Sequence, residues 1–193
     1  MGELGWPRDL VTAAAGPGHR VTEVVPPGFA ACVRALHSWY HPDDESRRER
    51  WADLAVLAGI ALTGDTPAHA FDGFGLCVDE GTLEVAFRDA LITVLAGDQP
   101  VTFAYDLAAV AGGVDPFVVT GPLADLPAIQ SRAKPRGPAT LVARRPHVGR
   151  RHGLRLSSTY IACSQVNADK VLSHPDIEAL LVDPNTRIDE LPR

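Results

Sequence analysis

Gly153 to Cys163 reads GLRLSSTYIAC, and its reading decides how the rest of the chain is placed. Apolar and β-favouring residues fill this run, and Ser157 and Ser158 are ordinary in strands and turns, so it reads as a sheet strand. In that strand Leu154, Leu156 and Tyr160 would point inward and Arg155 outward. It lies inside a longer stretch, Leu126 to Ala168, that holds no Asp or Glu but carries Arg132, Lys134, Arg136, Arg144, Arg145, Arg150, Arg151 and Arg155. Elsewhere the chain sets ten basic residues against all 24 of its acids. Such asymmetry marks either a binding face or a basic segment neutralised within the fold.

Upstream of this strand lie further strand signals. Ala139 to Arg144 is a second strand candidate, so Arg144 to Arg151 would form the turn of a hairpin. Val101 to Leu107 alternates apolar and polar residues in the manner of a half-buried strand, and Pro116 to Thr120 (PFVVT) is another. Leu123 to Gln130 is a helical turn. Downstream, Asn167 to Ser173 is a short helix stopped by Pro175, and Asp176 to Val182 is a helical turn or an edge strand.

The first half reads as helical. Phe29 to Tyr40 (FAACVRALHSWY) repeats Phe29, Val33, Leu36 and Tyr40 at helical spacing. Asp43, Asp44 and Glu45 suit the positive end of a second helix over Ser46 to Gly59. Thr63 to Cys77 is rich in glycine and reads as loop, with an apolar turn near Ala70 and Phe71. Gly81 to Ala96 is the clearest helix, with Leu83, Phe87, Leu91 and Val94 on its buried stripe and Glu84 and Arg88 paired outside. These signals together predict an α+β fold, a helical N-terminal half packed on a small antiparallel or mixed sheet from the C-terminal half. Residues 1–20 are expected as a loose arm, 21–182 as a single domain and 183–193 as a polar tail.

Composition narrows the function classes. A net charge of −6 opposes whole-protein attraction to nucleic acid or anionic membranes. No apolar run is long enough to span a bilayer, and the first twenty residues lack the apolar core of a signal peptide. Cys32, Cys77 and Cys163 are far apart and odd in number, which points to a reducing, cytoplasmic setting. The glycine-rich fingerprints of nucleotide-binding folds, the H-E-x-x-H zinc motif and the G-x-S-x-G nucleophile elbow are all absent from the sequence.

The chemistry candidates that remain are local. His37 and His41 stand four apart and could share a metal on a continuous helix, although Pro42 interrupts it. Cys163 would be a nucleophile only with a base such as His152 or His174 beside it. Trp51 to Leu62 resembles the first helix and turn of a helix-turn-helix, but no basic recognition helix follows. Arg144, Arg145, Arg150, Arg151 and Arg155 make the better anion site, since guanidinium forks fit phosphate and carboxylate. Tyr160 is the single aromatic in the basic stretch, so base stacking has little support.

Three segments carry a family likeness: VVPPGFAACVRALH at Val24 to His37, RWADLAVLAG at Arg50 to Gly59, and LSSTYIACS at Leu156 to Ser164 before Asp176-Ile177-Glu178-Ala179-Leu180. Their order and spacing resemble a family of uncharacterised actinobacterial proteins with a PPGF-x-R-x-LH start, an RW-x-x-x-A segment and a late STY-x-x-G-S segment. Cys163 stands where that family places glycine. The resemblance implies a fold and a taxonomic setting and implies no reaction. The expectation from all of this is a non-catalytic accessory factor that binds another protein, without a cofactor. The alternatives are an anion or nucleic-acid binder through the arginine hairpin, and an enzyme of unrecognised type.

Overall fold

The structure is a computed structural model that describes residues 20–25, 28–78, 84–95, 101–105, 117–133 and 157–187. Its centre is β1, Ala31–Leu36, which is buried along its whole length. β1 lies between β7 (Ser158–Cys163) and β8 (Ala179–Leu181) and pairs antiparallel with both. The register runs from Ala31 opposite Cys163 to Leu36 opposite Ser158, and from Val33 opposite Leu181 to Ala35 opposite Ala179.

Alternation along β1 feeds both sides of this sheet. Ala31, Val33 and Ala35 join Cys163, Phe87, Leu91, Ala168, Val171 and Ile177 in one core. Two helices supply the far side of that core: α3, Val85–Val94, and α5, Gln165–Leu172. On the other face Cys32 meets Val21 and Val182, Val21 coming from the one-turn α1, Val21–Val24. Leu36 meets an aromatic cluster of Trp39, Trp51 and Phe71.

The expected helical N-terminal half is therefore overturned. Strands β1, β2 (Trp39–His41) and β3 (Asp44–Glu49) occupy the segment read as helix, and helices are scattered along the chain. A strand buried on both faces shows an almost unbroken apolar run, which periodicity alone cannot tell from a buried helix. Val33 and Leu36 look like one helical face but lie in different cores.

β2 and β3 form a hairpin turned at Pro42-Asp43, with a register shift between Tyr40 and His41. β4, Cys77–Val78, pairs with the other edge of β2. Asp43 to Glu45, expected to start a helix, instead form the hairpin turn and the head of β3. Asp44 accepts from the Ser46 backbone at 3.1 Å and from its hydroxyl at 2.6 Å, and these bonds hold its carboxyl below the ordinary range. β3 is the outer strand of its three-stranded sheet, and its sequence DESRRE lies almost wholly in solvent. A charged edge discourages pairing with another chain.

Helix α2 runs Trp51–Ala58, five residues later than its expected start. Its N-cap residue, Arg50, contributes no side-chain cap. The cap comes from Glu178: Oε2 accepts from the Trp51 N–H at 2.8 Å and Oε1 from the Ala52 N–H at 2.6 Å. A carboxylate at this helix end satisfies two orphan donors and faces the positive end of the dipole. Gly59 closes α2 with φ of 67°, a left-handed conformation suited to glycine.

Phe71, fully buried, arrives on a 3₁₀ segment, Ala68–Phe74, within the stretch expected as loop. Its ring meets Trp51 edge-on at 5.3 Å and Trp39 at 5.8 Å. Such tilted contacts add to the area term of aromatic burial. The Trp51 Nε1–H donates to the His37 carbonyl at 2.7 Å, while the buried Trp39 Nε1–H has no hydrogen-bond partner among the described residues.

β5 (Val101–Tyr105) and β6 (Phe117–Gly121) form a separate antiparallel pair close to the expected ranges. A short 3₁₀ turn, Leu123–Asp125, then leads into α4, Leu126–Ala133. Along α3, Arg88 pairs with the adjacent Asp89 at 2.8 Å instead of with Glu84. Glu84 turns to β3 and to the residue just before β2, lying 3.8 Å from Arg48 and accepting from Ser38 Oγ at 2.5 Å. Near the other end of the described chain, the Val21 and Thr22 N–H groups donate to the carbonyls of Thr186 and Pro184. No helix among the described residues is long and apolar enough to cross a membrane.

Candidate functional site

The polar residues that come together do so around Arg34, in the middle of β1. Its side chain is buried, with the residue only 4% exposed. Nε donates to Ser158 Oγ at 2.9 Å, and Nη1 donates to the carbonyls of Gly64 and Thr66 at 2.9 and 2.7 Å. The guanidinium carbon sits 5.1 Å from the centre of the Trp51 ring, within cation–π range. Arg34 thereby pins the turn Thr63 to Thr66 onto the sheet. That turn closes on itself, since the Thr66 N–H donates to the Thr63 carbonyl and the Thr63 N–H donates to Thr66 Oγ1. Gly64 fits there because a Cβ would stand 2.7 Å from Val182 Cγ1.

Close by, His37 is also buried, and its Nε2 lies 2.9 Å from Thr159 Oγ1. The His37 N–H donates to the Ser157 carbonyl at 3.1 Å. This seam of Arg34, His37, Ser157, Ser158 and Thr66 is buried and bonded within the fold, so it braces two strands and a turn. Sequence reading passed over Arg34 and Glu178. The signal for each was a single charge inside an apolar run, ACVRAL and IEALL, where a charge survives burial only with partners.

The sequence-derived candidates are dispersed. His41 is on β2, with Nε2 3.1 Å from Glu49 Oε1, while His37 precedes β2 and faces Thr159. In extended chain four residues span roughly 13 Å, far beyond a shared ligand distance. Among the described residues no group of three His, Cys, Asp or Glu side chains could hold a metal ion. Cys163 is buried at the end of β7 and burial pushes its thiol up. Burial and the neighbouring Cys163 push Cys32 up to about 12. The two cysteines belong to cores on opposite faces of the sheet. A thiol held protonated is neither nucleophile nor metal ligand at neutral pH.

His174 Nδ1 accepts from the Asp176 N–H at 3.2 Å, and His152 lies outside the described residues. After α2 come a turn and the 3₁₀ segment, so Trp51 to Leu62 is not followed by a recognition helix. Arg144, Arg145, Arg150, Arg151 and Arg155, together with the strand expected over 139–144, also lie outside the described residues.

Among the described residues, two surfaces stand out as apolar. The first is the outer face of α2, where Val56 is 79% exposed, Leu57 71% and Ile60, just past the helix, 41%. An ordinary surface helix turns polar residues outward, so an apolar outer face is a departure from the rule. The inner face already carries Trp51, Leu54 and Ala55, which leaves α2 apolar on both sides. The second is a half-open cleft of about 370 Å³ between α1, the start of β1 and the chain leaving β8. Val21, Val25, Phe29, Ala162, Leu181 and Val182 line it, with Cys32 also in the wall.

No family model, no curated protein and no solved structure matches the chain.

Proposed function

We propose that this protein is a non-catalytic accessory factor that binds another protein through the outer face of α2. The observation that carries the reading is the exposure of Val56, Leu57 and Ile60 on one short helix and its exit. Contiguous exposed apolar side chains cost solubility and mark surfaces that a partner covers. The occupied polar seam around Arg34 and the raised thiols of Cys32 and Cys163 favour binding over catalysis. Three free cysteines suit a reducing compartment, so the proposal places the protein in the cytoplasm, and the motif likeness sets it among actinobacterial proteins.

The test places a photo-crosslinking residue at position 57 and, as a control, at the exposed Lys170 on α5, in cells that make the protein natively. The proposal expects one discrete crosslinked product from position 57 that vanishes when Val56 is changed to Lys. Binding of the partner so identified should weaken at least tenfold in Leu57→Lys, about 1.4 kcal/mol, with unchanged unfolding temperature. Equal labelling from both positions, or none, overturns it.

The second reading is an anion or nucleic-acid binder through Arg144, Arg145, Arg150, Arg151 and Arg155. The acid-free stretch from Leu126 to Ala168 favours it. Steeply salt-dependent binding to polyanions that is lost in Arg150→Ala with Arg151→Ala would establish it, and salt-independent results would remove it.

A further inference from the structure

We draw no further inference here: the strongest candidate, the apolar cleft between α1, the start of β1 and the chain leaving β8 at Leu181 to Pro184, is an unpartnered apolar face and nothing in the structure shows what covers it.

Discussion

Replacing Arg34 with Lys tests whether the fold depends on the fork of the guanidinium or only on its charge. The wild-type group makes three hydrogen bonds to neutral oxygens and stacks on Trp51. An ammonium is a compact point charge with three donors on a flexible stem and lacks the planar fork of the guanidinium. Placed where Nη1 now sits, it keeps the Gly64 and Thr66 carbonyls but abandons Ser158 Oγ and the ring face. One charge-assisted hydrogen bond is worth about 1.5–3 kcal/mol and the cation–π contact about 0.5–2 kcal/mol. Arg34→Lys is therefore expected to cost about 2–5 kcal/mol in guanidinium denaturation, with an unchanged denaturant slope. Arg34→Met also removes a buried charge, which offsets part of its loss, yet it leaves three oxygens without their donor. Ser158→Ala should cost less in the Lys background than in the wild type, because the bond it deletes is already gone. Hydrogen exchange adds a local reading, since the Thr63 and Thr66 amides belong to the pinned turn. Arg34→Lys within about 0.5 kcal/mol of the wild type, with those amides still protected, would refute the reasoning.

The further predictions concern three separate contacts. Glu178→Ala removes the cap of α2 and is expected to cost about 1–2 kcal/mol, with faster exchange at the Trp51 and Ala52 amides; unchanged exchange would count against the cap. Burial pushes the Glu178 carboxyl above its ordinary range, against the pull of Ala52, Trp51 and Arg50. Because the folded value is raised, its contribution is complete below the unfolded carboxylate range, about 4.3, and is lost as pH rises through the folded value. Stability measured from pH 4 to pH 7 should therefore fall less in Glu178→Gln than in the wild type. Gly64→Ala drives a methyl into Val182 Cγ1 and should cost about 1–3 kcal/mol, with a much smaller cost in a Val182→Ala background; equal costs would place the strain elsewhere. Native protein treated with a thiol reagent at neutral pH should show one accessible cysteine, Cys77, while buried Cys32 and Cys163 react only on unfolding. Three fast thiols would contradict that burial.

What was legible in the sequence follows from where each element gets its stability. The helix over Val85–Val94 announced itself because Phe87 and Leu91 face one core from an otherwise partly exposed helix. β5 and β6 could be read because strand alternation and glycine-proline punctuation are local. β7 was legible from its β-favouring residues. β1 was not, because burial on both faces erases periodicity and its pairing partners lie far along the chain. The start of α2 was misplaced because its cap is Glu178 rather than the nearby acids. Of the candidate site, the apolar character of Val56, Leu57 and Ile60 was visible, but their outward direction depended on which face Trp51 and Leu54 took.

The position of β1 has a consequence for the order in which this molecule is assembled. Arg34 and Ser158 are 124 residues apart, so the central strand leaves the ribosome long before its neighbour exists. At about 5–20 residues per second that interval is roughly 6–25 s. β2 and β3 are joined by a tight turn and can pair at once. β1 must wait, an uncharged ACV run followed by one arginine, with both of its edges open to other chains. Closure over so long a loop also places this domain among slow, non-local folders. Synthesis rate and chaperone supply would then govern the yield of native protein more than its final stability does.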